Sequence, residues 1–152
     1  MVSVIVRPVA PHIDAAGTAD QAVAVIAHPR VPVADLKLSE LRRLFLGERQ
    51  FWSQDLPVVL LVPAQGLSER EILLSRVLNK TENEYRAHWI AKIFRNEAAF
   101  APKVTPSSDV TLDLVSRVPG ALALVNASSI PARVKMITVD GKHSGDAAYA
   151  LR

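Results

Sequence analysis

At 152 residues, 49% of them apolar, the chain has the size of one ordinary domain and can bury a proper core. Its formal charge of +3 comes from interspersed basic and acidic residues with no run of five or six like charges, which argues against nucleic-acid and anionic-membrane binding. The absence of cysteine excludes disulfides, thiol catalysis and cysteine-based metal sites, and no stretch approaches the ~20 apolar residues of a membrane-spanning helix.

Residues 1–8 hold one short apolar run, Val4-Ile5-Val6, that reads as a candidate edge strand. No charged segment precedes it, and it falls short of the roughly 7–15 apolar residues of a secretory signal. The compartment therefore stays open between an exported mature protein and one kept in the cytoplasm. Residues 10–21, rich in Ala and Asp, read as a loosely ordered lead-in, which sets 1–21 apart from a single domain over 22–152.

Residues 22–27 are continuously apolar and stop at His28-Pro29, the pattern of a strand buried on both faces. Ser39 is placed to cap a short helix whose apolar face carries Leu41, Leu44 and Phe45, and Gly47 supplies its left-handed stop. An aromatic pair, Phe51-Trp52, precedes a strand at 58–62. Ser68-Glu69-Arg70-Glu71 reads as a capping box opening a helix that presents Leu73, Leu74, Val77 and Leu78. Thr81 and Glu84 make a second box, whose helix gathers Tyr85, Trp89, Ile90, Ile93 and Phe94 on one side. Ser107 or Ser108 caps the next helix, with Val110, Leu114, Val115 and Val118 on its apolar face, and Pro119-Gly120 breaks it before a strand at 121–125. A short helical turn near 127–130 leads to a last strand at 134–139, closed by Asp140-Gly141. Strands alternating with helices predict an α/β fold with a mostly parallel sheet flanked by helices.

Residues 38–52, LSELRRLFLGERQFW, resemble the "L-x-x-[IL]-F-x-G-x-x-x-x-W" signature of phosphate-type periplasmic solute-binding proteins. Further segments are similar in the family's order: VAVIAHP at 23–29 to its "VVVNP" strand, Trp89 with Phe94 to its "W-x-x-x-x-F" helix, Pro119-Gly120-Ala121-Leu122 with Val125 to "PGAIGYV", and GKHSGDAAYALR at 141–152 to "G-x-x-PGD-x-x-YPL-x-R". The resemblance covers about residues 22–152. It implies a single lobe of a type 2 periplasmic-binding-protein fold, where two-lobed relatives close on an anion between their lobes, and it implies a periplasmic or secreted location.

Phosphate recognition needs several converging donors, commonly backbone N–H groups at helix N-termini with hydroxyls and an arginine. The two-lobed relatives offer a segment like "R-x-x-[GS]-S-G-T" there, and residues 62–68 stand in the corresponding place. The expected arginine is absent, and the Ser-Gly-Thr trio is reduced to Ser68 behind Gly66. The candidate anion-binding residues are Gly66, Leu67 and Ser68, through backbone N–H and hydroxyl, with Arg70 as countercharge. Against them, Glu69 and Glu71 sit in the same first turn, where each stabilises the helix dipole by about 0.3–1 kcal/mol when exposed and repels phosphate. Ser68 also reads simply as a helix cap, and Asp109 brings a negative charge to another helix start. Tight phosphate binding by the isolated chain is not expected.

No catalytic residue, metal site or cofactor is expected. His12, His28, His88 and His143 lack metal-ligand spacing, and no Gly-rich phosphate loop, nucleophile elbow or His-Glu-x-x-His occurs. His28 ends a strand, where α/β sheets place ligands; Trp52 and Trp89 read as packing anchors; Arg42, Arg43 and Arg49 read as a solvated face. Two functions remain. One is a non-enzymatic solute-binding-like module with weak or partner-dependent capture of a small anion such as phosphate, the partner being a membrane permease, a sensor or a second copy in a homodimer. The other is an interaction module of the cell envelope, derived from that lobe, that has lost its ligand.

Overall fold

The computed structural model of the chain describes residues 22–128 and 130–151. The expected strand at Val4–Val6 and the lead-in over 1–21 lie outside the described residues. Among the described residues there are eight strands: β1 (Val23–Ala27), β2 (Asp35–Leu36), β3 (Phe51–Ser53), β4 (Leu56–Pro57), β5 (Val59–Pro63), β6 (Lys103–Thr105), β7 (Ala121–Asn126) and β8 (Lys135–Val139). Four α-helices join them: α1 (Leu38–Phe45), α2 (Ser68–Ile72), α3 (Glu82–Phe94) and α4 (Ser108–Arg117). Strands β3 and β4 form a small hairpin, and the other six make one sheet in the order β2-β8-β1-β7-β5-β6.

The sheet is mostly parallel, as the α/β alternation predicts. β5 runs parallel to β6 and β7, and β2 parallel to β8, while β1 alone runs against both its neighbours. All five residues of β1 are buried, so its continuous apolar run is explained by helices on both faces. Side chains alternate strictly. Val23, Val25, Leu122, Leu124, Leu60 and Val62 face a large core under α1, α2 and α3, whereas Ala24, Ile26, Leu61, Ala123 and Val125 face a smaller one under α4.

Helix starts obey different residues from some of those expected. Ser39 lies inside α1; the cap position is Lys37, whose N–H donates to Glu40 Oε1 at 3.0 Å, while Asp140 Oδ1, at the end of the neighbouring strand β8, accepts the Leu38 N–H at 3.1 Å. Ser68 likewise lies inside α2, because Leu67 takes the extended cap conformation, and the box expected at 68–71 does not form. The Thr81–Glu84 box does form, with reciprocal bonds of 3.1 and 2.9 Å, and of the two serines expected as caps of α4 it is Ser107 that accepts the Val110 N–H.

α2 does not continue as an ordinary helix. Residues Leu73–Leu78 wind as a π-helix, ended by Asn79 in the left-handed region. This wider turn buries Leu73, Leu74, Val77 and Leu78 together, and its Val77 carbonyl accepts the Arg42 Nε–H at 2.7 Å, so Arg42 braces α1 to this segment. Residues 127–128 form a turn within the stretch expected as a short helical turn near 127–130, of which residue 129 lies outside the described residues.

Gly120 opens β7 under a hard constraint. Its φ is +86°, and a Cβ there would meet the Pro57 carbonyl oxygen at 2.1 Å. The closeness lets the Gly120 carbonyl accept both Val59 N–H at 3.0 Å and the Trp52 indole N–H at 2.9 Å, tying the hairpin and β5 to the start of β7.

Candidate functional site

Because β5, β6 and β7 run parallel, their carboxyl ends, Pro63, Thr105 and Asn126, share one edge of the sheet, and α2 and α4 begin there. This is where open α/β sheets hold ligands. The place is already occupied by a side chain of the protein. Glu69, in the first turn of α2, is the one charged residue buried among the described residues, at 9% exposure. Its Oε2 accepts the Ser68 hydroxyl at 3.2 Å and its Oε1 accepts the Ser108 hydroxyl, at the start of α4, at 3.1 Å. Ser108 Oγ in turn accepts the Asn126 N–H from the end of β7 at 3.2 Å. Thr105 and Thr111 close the far side with a 2.6 Å hydroxyl pair, and Thr111 Oγ1 donates to Ser107 O at 2.9 Å. A buried carboxylate without a cation needs such donors, and helix N-termini add a favourable dipole.

The four candidate residues are dispersed around this centre. Gly66 (φ +94°) stands in open space on the loop before α2, and the Leu67 N–H is turned back to Ala64 O at 3.2 Å. Ser68 spends its hydroxyl on Glu69. Arg70, expected as a countercharge, is held in a bidentate ion pair with Glu82 at 2.7 and 2.9 Å, donates its third bond to Pro63 O at 2.9 Å and lies over the Tyr85 ring. Glu82 raises the Arg70 pKa chiefly through these bonds. The structure thus brings Ser68 to the strand ends, and with it Ser108, which the sequence offered only as a helix cap, and Asn126, which sequence reasoning passed over. Ser108 lies 39 residues from its partner, and no local pattern announces such a pair.

His28 takes no part. β1 runs opposite to β7, with Ala27 across from Leu122, so His28 emerges at the far edge of the sheet. Its Nδ1 accepts the Arg30 N–H at 3.0 Å, and burial, then Arg30, lowers its pKa. No group of three or more His, Asp or Glu suited to a metal occurs among the described residues. No described helix is long and apolar enough to cross a membrane.

A second feature lies on the face of α3. Tyr85 and Trp89 are buried as expected, but Ile90, Ile93 and Phe94 are exposed, Phe94 at 88%. Between α3 and β6 runs an open groove of about 810 Å³, lined by Tyr85, Trp89, Ile90, Phe94 and Val104 among others.

No protein-family model matches the sequence. No curated protein matches it either. The fold, however, matches solved structures. A candidate phosphate ABC transporter substrate-binding protein from Clostridium perfringens, with bound phosphate, superposes with a TM-score of 0.66 at 20% identity over 81% of this chain and 46% of that one. An ABC-type phosphate transport receptor from Vibrio cholerae gives 0.64 at 18% identity over 81% and 48%, and PstS from Borrelia burgdorferi gives 0.63 at 17% over 80% and 48%. The chain thus spans about half the length of the solved proteins it matches. The likeness is one of fold, that of a single lobe of a periplasmic binding protein, as the resemblance in sequence implies.

Proposed function

We propose that this chain is a non-enzymatic interaction module of the cell envelope built on one lobe of a solute-binding protein, in which a resident carboxylate has replaced the solute. The observation that carries this reading is Glu69: two hydroxyls, one at the start of each helix facing the strand ends, are bonded to the protein's own carboxylate. A phosphate arriving there meets a buried negative charge and donors already engaged. Arg70, the cation that could have offset that charge, is spent on Glu82.

The second reading, weak or partner-assisted capture of a phosphate-like anion by Gly66, Leu67 and Ser68, has one feature in its favour. Gly66 borders a groove of about 440 Å³ that also holds Arg70 and Lys80, beside Glu71 and Glu82. A membrane permease, a sensor or a second copy would then supply the missing donors. A phosphate titration followed by thermal unfolding separates capture by the chain itself from the interaction reading. Anion capture requires stabilisation of about 2.7 kcal/mol at a hundredfold excess over the dissociation constant, and the interaction reading requires none. A phosphate-dependent rise in Tm in the unaltered protein would overturn it.

A further inference from the structure

Eight large apolar residues are exposed among the described residues, and six of them (Phe51, Ile90, Ile93, Phe94, Phe100 and Val104) line two neighbouring grooves. The groove beside α3 and a second, of about 520 Å³, meet along Trp89, Ala101 and Pro102. Such a concentration marks a contact surface.

Three observations describe what fits it. The first is charge. The lining of the two grooves holds Arg49, Arg70, Arg86 and Lys103 but a single acid, Glu82, which Arg70 already pairs, so Arg49, Arg86 and Lys103 face the grooves without a carboxylate among the lining residues. The second is donor capacity. The Tyr85 hydroxyl and the Trp89 indole N–H, on residues 5% and 7% exposed in the floor of the first groove, find no acceptor with hydrogen-bond geometry among the described residues. The two lie close enough for the indole to pull the Tyr85 pKa down, yet burial prevails and pushes it up to about 12, so the phenol remains a donor. Buried donors of this kind call for an acceptor. The third is main-chain capacity: β6 is the last strand of its sheet and its outer edge is unpaired among the described residues.

We propose that the paired grooves bind an apolar segment of a protein partner that carries carboxylates on its flanks, a surface that rests on the interaction-module reading above. The apolar side chains of the segment cover Ile90, Phe94 and Val104, and its carboxylates meet Arg86 on one side and Arg49 and Lys103 on the other. Backbone carbonyls and carboxylates are also the acceptors that Tyr85 and Trp89 lack. A second copy of the chain fits less well, because a two-fold axis through the patch would set these three cations against their own images.

The test uses two labelled peptides of about 12 residues with the same apolar positions, one flanked by Glu and Asp and the other by Lys, titrated with the whole chain and read by fluorescence anisotropy. The acidic peptide is expected to bind at least about tenfold more tightly, with the difference shrinking in high salt. Ile90→Ser with Phe94→Ser should weaken it by about tenfold or more, while the Tm stays near that of the parent because both side chains are exposed. Equal affinity for the two peptides, no binding of either, or indifference to the double substitution would overturn the proposal. A concentration-dependent dimer in sedimentation that Phe94→Ser splits would assign the grooves to a second copy. Tighter peptide binding after Val4→Asp with Val6→Asp would assign them to the chain's own first residues. Failure of the peptide arms without phosphate stabilisation removes this surface alone, whereas phosphate stabilisation removes the underlying reading whatever the peptides do.

Discussion

Replacing Glu69 by alanine tests the central claim about the site. The substitution deletes a charge-assisted bond from the half-buried Ser108 hydroxyl at 3.1 Å and a local one from Ser68 at 3.2 Å. A hydrogen bond to a charged group contributes about 1.5–3 kcal/mol, and a carboxylate near helix N-termini adds about 0.3–1 kcal/mol. Removing a buried charge returns part of this, since its desolvation no longer has to be met. The net expectation is a loss of about 1–2 kcal/mol, which for a domain of this size lowers the Tm by roughly 3–8 °C. The loss should come with a gain. The vacated hydroxyls at the starts of α2 and α4 become free to meet an external anion, so phosphate should raise the Tm of Glu69→Ala and leave the parent unmoved. Glu69→Gln keeps the shape without the charge and should respond less. Differential scanning fluorimetry in buffers with and without phosphate reads both effects. A Glu69→Ala protein as stable as the parent and deaf to phosphate, or a parent that responds equally, would refute the reasoning.

Gly120→Ala should be severe: a left-handed backbone costs an L-residue about 1–2 kcal/mol, and the Cβ placed 2.1 Å from the Pro57 carbonyl adds overpacking strain of about 1–3 kcal/mol. Urea unfolding should show a loss of at least about 2 kcal/mol with Trp52 fluorescence altered. The partly buried Arg70–Glu82 pair should show a coupling energy of about 1–2 kcal/mol in a double-mutant cycle of Arg70→Met with Glu82→Gln, against no more than about 0.5 kcal/mol for the exposed Arg117–Asp113 pair. Stability should also fall in acid. The Thr81 backbone N–H and then its hydroxyl hold Glu84 below its ordinary value of 4.5, and the Thr138 hydroxyl and then the Gly141 N–H hold Asp35 below 3.8. The folded state therefore binds fewer protons than the unfolded one in that range, so this contribution is complete above pH 4.5 and fades as pH drops through the lowered values. Thermal melts from pH 6 down to about pH 3 should show the decline, reduced in Glu84→Gln and Asp35→Asn.

The long buried strands were legible because burial on both faces leaves no room for polar residues: β1, β5 and β7 coincide with apolar runs to within a residue or so. β2 and β4 have two residues each and β3 and β6 three, too few for any period to register, and they owe their form to neighbours. Capping shows the same division. Thr81 and Glu84 satisfy each other locally, so their pattern sufficed, whereas Ser68 was displaced by one position once Leu67 took the extended conformation. The apolar stripe of α3 was read correctly as a stripe, but a period says nothing about what covers it, and Ile90 and Phe94 are exposed. At the candidate site, the sequence showed a carboxylate, Glu69, in the first turn of a helix, where a negative charge opposes phosphate. It did not reveal that the carboxylate turns inward, because that depends on a serine brought in by the sheet.

The two ends of the described residues lie side by side. The Val23 N–H donates to Leu151 O at 3.0 Å, and the Tyr149 hydroxyl donates to Val23 O at 2.6 Å. Val23 and Leu151 are consequently neighbours, the geometry of a cassette. A host protein could carry such a unit in the middle of one of its own loops without being pried apart. Equally, a short bridge from Leu151 to Ala22, with new termini cut at the exposed Gly141 turn, should yield a circularly permuted protein that still folds.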